Sequence, residues 1–155
     1  MAAHELDDLD KAILYALQDD ARKMSTSTIA ERMDVAPSTV RTRINCLEED
    51  GVIAGYHTEV DYESTGLQLH TLIICTAPVP DREELAERAQ EVDGVVAVRE
   101  VMTGVGNIHI EAVGLDGDDL SRIGRELDEI GLTIEDEDII RNEYETPFKG
   151  FALEE

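Results

Sequence analysis

Residues 25–51, STSTIAERMDVAPSTVRTRINCLEEDG, constrain this chain more than any other stretch. Ile29, Ala30 and Met33 fall on one helical face, and Val40, Ile44 and Leu47 repeat at i, i+4, i+7. Between the two sets lies Met33-Asp34-Val35-Ala36-Pro37. Pro37 suits the first turn of a new helix, where its missing N–H has no helical partner. Ala30 is small where two helices must cross closely. Asp34 stands where the turn needs a left-handed residue, which Asp tolerates better than most non-glycine residues. Two short helices joined this way make a helix-turn-helix.

With Val40, Ile44 and Leu47 turned inward, Ser38, Arg41, Thr42 and Asn45 point away, and Thr39 flanks them. Short hydroxyls, an amide and a guanidinium reach base edges and phosphates from a helix laid in a major groove of double-stranded DNA. A merely solvated helix face is the plainer alternative. The turn, the proline and the outward polar set agree with one another, and that consistency favours DNA reading.

Charge at first argues against it. The formal net charge is −23. Its distribution is uneven: from Arg22 to Arg43 lie Arg22, Lys23, Arg32, Arg41 and Arg43, against only Glu31 and Asp34. Arg22, Lys23 and Arg43 are therefore expected to join the helix face on DNA. Only Lys11, Lys23 and Lys149 are lysines, and acids coat every predicted helix. Concentrated ions screen such like charge within a few ångströms, so the composition suggests a high-salt cytoplasm. No long apolar run suits a membrane span, and no charged-then-apolar leader suits secretion. Cys46 and Cys75 are too few for a disulfide framework, and His4, His57, His70 and His109 lack ligand spacing. No cofactor motif is present; the Gly104–Gly106 loop lacks the Gly-Lys-Ser/Thr ending of a phosphate loop.

In chain order, Leu6, Leu9, Ile13 and Leu17 mark an opening helix with Asp7 at its N-cap. Ser25 or Ser27 caps the next. Gly51 ends the third as a C′ residue, and Val52 to Val60 is expected to form a two-stranded wing. The DNA-binding domain is placed at 5–60 and a polar, glycine-ended linker at 61–66. Residues 67–147 read strand, helix, strand, strand, helix, strand: two βαβ halves in one antiparallel sheet, a ferredoxin-like domain. Residues 148–155 are left as a tail. The fold class is α+β: a winged helix-turn-helix followed by a ferredoxin-like βαββαβ domain. A single helical layer leaves the other face of that sheet uncovered, and this face is expected to pair with its copy.

Taken together, these stretches resemble the Lrp/AsnC (feast/famine) transcriptional regulators. Residues 6–14, LDDLDKAIL, are similar to the family's opening helix. Residues 38–44, STVRTRI, with LEEDGVI and Gly55-Tyr56 after them, resemble its recognition helix and wing. Thr103-Gly104 and Asn107 resemble its effector-loop motif. The resemblance covers roughly residues 5–147. It implies a homodimer built through the C-terminal sheets, possibly an octamer. It also implies an amino acid or related metabolite bound near Thr103, Gly104, Val105, Gly106 and Asn107. Two departures stand out. Ala36 replaces the usual capping serine of the recognition helix, and Asn107 replaces the usual aspartate. An amide attracts no ammonium group, so the expected ligand has no cationic side chain.

Two other functions compete with a sequence-specific regulator. An architectural DNA packer bends DNA with little base readout; the hydroxyl and amide groups on the reading helix argue against it. A sirohaem-decarboxylase-like enzyme on the same fold would need His and Arg gathered around a substrate pocket. The C-terminal domain offers His70 and His109 on strands, with no acid–base pair apparent in the sequence.

Overall fold

The computed structural model describes residues 5–153, which pack as two units. One comprises the helices up to residue 58 together with the C-terminal segment from Tyr144; the other spans Glu59–Glu143.

The helical unit holds α1 (Asp8–Asp20), α2 (Thr26–Met33) and α3 (Pro37–Glu49). Asp7 caps α1 by accepting the Asp10 N–H at 2.9 Å, while the Asp10 carboxylate accepts the Asp7 N–H at 3.2 Å. This reciprocal box satisfies two of the orphan donors at the helix start. Of the two candidate serines, Ser25 caps α2, accepting the Thr28 N–H at 3.1 Å. Asp34 is left-handed at φ 51°, and its N–H returns to the Ala30 carbonyl. Ala36 stands at the N-cap of α3 with no side-chain hydrogen bond, and Pro37 follows it. Ser38 does not substitute as a cap; its carbonyl instead accepts the Thr42 hydroxyl at 3.0 Å. Gly51 closes α3 at φ 72°.

The helices bury Ile13, Leu14, Ala16, Ile29, Ala30, Val40 and Leu47 in one core. Val52, Ile53 and Phe151 pack against it. The expected wing ribbon does not form: residues 52–60 contain no strand, and 54–60 are exposed throughout. Val52 and Ile53 spend their apolar surface on the helical core, and residues 54–60 pair with no strand among the described residues. The Tyr56 hydroxyl donates to Glu48 at 2.8 Å and ties this extended segment to the end of α3. The C-terminal segment also joins this unit. A 3₁₀ turn at Lys149–Phe151 places Phe151 on the core, and the Phe148 N–H donates to the Gln18 side chain at 3.2 Å.

The second unit is β1 (Leu69–Thr76), α4 (Arg82–Gln90), β2 (Val95–Glu100), β3 (Ile108–Gly114), α5 (Gly117–Glu129) and β4 (Thr133–Ile139). The sheet order is β2-β3-β1-β4, every pair antiparallel. Its chain path is the expected split-βαβ, ferredoxin-like one. Ile73, Cys75, Ile108, Ile110 and Ala112 face α4 and α5, meeting Leu85, Ala89, Ile123 and Leu127. Gly94 permits the close pass between α4 and β2. Its φ is 99°, and a Cβ there would lie 2.9 Å from the Val113 carbonyl oxygen. By strand alternation, His70, Leu72 and Ile74 of β1 face away from the helices, with His109, Glu111 and Val113 of β3.

Candidate nucleic-acid interface

The core of the helical unit dictates what α3 shows to solvent. Val40 and Leu47 are fully buried, so Ser38, Thr39, Arg41, Thr42 and Asn45 are all exposed. Among the described residues, Arg41 has neither a hydrogen-bond nor an ion-pair partner. Arg22 and Lys23 are exposed just beyond α1. Their backbone N–H groups donate to Asp20, and the Lys23 ammonium lies 3.0 Å from the same carboxylate.

Arg43 is placed differently from the expectation that it faces DNA. Its guanidinium spans Asp7 at 2.6 Å and Asp10 at 2.9 Å, tying α3 to the start of α1. The Asp10 side chain is only 2% exposed. The two carboxylates, Asp7 foremost, hold the Arg43 pKa above its ordinary value. Asp7 is held below the ordinary carboxylate value, chiefly by the Asp10 N–H and further by Arg43. Position 43 lies between the inward Val40, Ile44 and Leu47, so its side chain emerges at the border of the buried stripe.

The loop at 101–107 is similarly divided. Asn107 is fully buried, and its amide is consumed by the backbone of one residue: Oδ1 accepts the Ala77 N–H and Nδ2 donates to the Ala77 carbonyl, both at 2.8 Å. The Gly106 N–H donates to Thr76 at 2.8 Å, and His109 Nε2 donates to the Gly106 carbonyl at 3.1 Å. The expectation that Asn107 selects a ligand by its charge is therefore corrected; its side chain pins the loop to the end of β1. Thr103, Gly104 and Val105 remain exposed.

One constellation was not legible from spacing: His70, Glu111 and Glu143 converge on the open sheet face. Register brings the first two together, because His70 opposes Val113 and Leu72 opposes Glu111.

A helical reading unit and a ferredoxin-like domain in one chain are the parts of a winged helix-turn-helix regulator. A family described as winged helix-turn-helix DNA-binding matches residues 6–54. The HTH-type transcriptional regulator LrpA of Pyrococcus horikoshii is 36% identical over 121 residues, covering 76% of this chain and 82% of that protein. LrpA1 of Halobacterium salinarum is 35% identical over 114 residues, covering 74% and 79%. Among solved structures, a feast or famine regulatory protein from M. tuberculosis complexed with L-methionine superposes with a TM-score of 0.78. It is 22% identical, with 92% of this chain and 96% of that one covered. The chain belongs to the Lrp/AsnC family of helix-turn-helix transcriptional regulators, a DNA-binding and not an enzyme family. No helix among the described residues is long and apolar enough to cross a membrane.

Proposed function

We propose that this regulator reads a specific sequence of double-stranded DNA through Ser38, Thr39, Arg41, Thr42 and Asn45, with Arg22 and Lys23 on flanking phosphates. The observation that carries this reading is the unpartnered, exposed Arg41 on a helix whose opposite face buries Val40 and Leu47 completely. A small metabolite, an amino acid in the first instance, modulates it at the exposed part of the loop, Thr103 to Val105. The backbone around Gly104 is open there: a Cβ on Gly104 would meet nothing within 4 Å. The L-methionine complex of a structure with the same fold supports an amino-acid effector. The open sheet face is the surface through which two copies pair, with octamers as a further assembly. The excess of acids over bases and the resemblance to a Halobacterium regulator favour a halophilic archaeon and its salt-rich cytoplasm.

Footprinting across the protein's own promoter, with and without amino acids, tests the reading. A discrete protected site that shifts with one amino acid is the expected result. Equal affinity for promoter and random DNA would make the protein an architectural binder. Arg41→Ala should cost about 1–3 kcal/mol on the specific site if the contact is bidentate to a base. Unchanged affinity for every sequence would remove Arg41 from the interface.

A further inference from the structure

Away from α3 and from the 101–107 loop, the open sheet face gathers three metal-ligating side chains. One His70 nitrogen and one oxygen each from Glu111 and Glu143 lie within 4.8 Å of one another. His70 Nε2 is 3.5 Å from Glu111 Oε2, and His70 Nδ1 is 3.9 Å from Glu143 Oε2. Nε2 is buried and has no hydrogen-bond partner among the described residues. Leaving such a group unsatisfied costs about 1–3 kcal/mol, so it demands an explanation. The surroundings hold the ligands in place. Arg99 pairs with the other oxygen of Glu111, leaving Oε2 toward the imidazole. The Tyr62 ring packs edge-on against His70 with centroids 5.5 Å apart.

The same histidine and Glu143 line a cavity of about 330 Å³ that also carries Glu59, Asp61 and Glu63. Arg141 is its one basic residue, so its field attracts cations.

We propose that His70, Glu111 and Glu143 form a site for a divalent transition-metal ion of the zinc class, with its remaining coordination position open to this cavity. The donor set decides the class. Imidazole with carboxylates suits zinc, nickel, copper or iron, whereas magnesium and calcium take oxygen ligands. Bonds of about 2.0–2.1 Å in a tetrahedron place ligand atoms about 3.3 Å apart. His70 and Glu111 already stand near that separation. Glu143 is half exposed on the segment beyond β4, so it closes by a change of rotamer. An ion there gives Nε2 its missing partner and clips β1, β3 and residues 140–143 together.

Calorimetric titration of the full chain with zinc chloride, in molar potassium chloride with excess magnesium, tests this. High salt and magnesium suppress diffuse binding to the acidic surface. One zinc per chain is expected, with affinity falling at least about tenfold in His70→Ala and in Glu143→Gln, and unchanged in His57→Ala. Cobalt should give visible ligand-field bands in the wild type that vanish in His70→Ala. Circular dichroism verifies folding of each variant, and Glu143→Gln, on an exposed segment, keeps the test sound if His70→Ala unfolds. Absence of a one-to-one site, or equal zinc affinity in the wild type and both ligand variants, would overturn the proposal and leave an ordinary imidazole–carboxylate pair.

Discussion

Arg43→Ala separates architecture from DNA contact on the recognition helix. In the folded chain, one guanidinium serves two carboxylates, at 2.6 and 2.9 Å. Its removal takes the guanidinium from Asp10, whose side chain is 2% exposed and still accepts the Asp7 N–H. Deleting one partner of a fully buried pair costs about 3–5 kcal/mol. Arg43 is 37% and Asp7 49% exposed, so water recovers part of that, and the expected loss is about 2 kcal/mol. For a unit of this size each kcal/mol shifts the melting temperature by about 4–8 °C, so melting should fall by about 10 °C. Thermal melts followed by far-UV circular dichroism read this directly. Arg43→Lys should fall between wild type and Arg43→Ala, because one ammonium does not reproduce the fork. Asp10→Asn combined with Arg43→Met should recover much of the loss, since the buried negative charge is then removed together with its cation. Arg41→Ala, at an exposed and unpartnered side chain, should lower DNA affinity at unchanged melting. If Arg43→Ala leaves melting untouched and lowers DNA affinity as much as Arg41→Ala, Arg43 belongs on the DNA and the reasoning fails.

Three other variants probe the rest of the chain. Asn107→Ala leaves the Ala77 N–H and C=O buried without partners, at about 1–3 kcal/mol each, so denaturant midpoints should fall clearly. Asn107→Asp should also destabilise at neutral pH, because a carboxylate cannot donate to the Ala77 carbonyl. That loss should diminish as pH falls and the acid is protonated; a loss independent of pH would refute the bonding scheme. Asp7, held below its ordinary 3.8, contributes stability that is complete above that value and is lost as pH falls through the lower folded pKa. Asp7→Asn should accordingly flatten the stability profile below about pH 4, measured by acid titration of the melting temperature. Burial pushes the Cys75 thiol up to about 12, while Cys46 is exposed, so a thiol reagent should label one cysteine in the native chain and two after unfolding. Rapid labelling of both in the native chain would contradict the packing of β1 against the helices.

Apolar periodicity made the helices and strands legible, because each element buries one side only. Asp34 and Gly51 were legible for a related reason: few residues accept their backbone angles. The ion pair that ties α1 to α3 left a fainter trace. Asp10 lies in the stripe formed by Leu6, Ile13 and Leu17, and an acid on a buried stripe requires a cation. Arg43 lies on the matching edge of α3, yet a one-dimensional reading assigned it to the positive surface instead. Asn107 was misread in the same way, as a polar residue in a glycine loop and hence a ligand contact. Its partners, the N–H and C=O of Ala77, are thirty residues distant, and backbone groups leave no mark in a sequence. The two-stranded ribbon expected at 52–60 failed for the opposite reason. Val52 to Val60 has strand-like residues, but a strand needs a neighbour, and none lies beside it within the unit. Phe148 and Phe151 lie in the stretch left as a tail, and the fold brings them to the helical unit.

These placements change what salt should do to DNA binding. Arg43 is committed within the protein, and Lys23 shares its charge with Asp20. Of the five basic residues between positions 22 and 43, Arg22, Arg32 and Arg41 are exposed and have no ion-pair partner among the described residues. Each phosphate neutralised contributes about −0.9 to the slope of log K against log salt, so Arg22 and Lys23, the two residues proposed on phosphates, give about −2 per chain and about −4 for a pair. The acidic remainder of the chain repels DNA at low salt, and concentrated ions remove that repulsion, because the Debye length falls to about 3 Å at 1 M. The two effects oppose each other, and the net slope should be shallower still. A recognition helix of hydroxyls, an amide and one free arginine thus keeps its base contacts where a lysine-rich one would have lost its phosphate contacts. Fluorescence anisotropy on the specific site, from tenths of molar to several molar potassium chloride, measures the slope. A slope steeper than about −8 would mean that many more cations reach the phosphates than this surface offers.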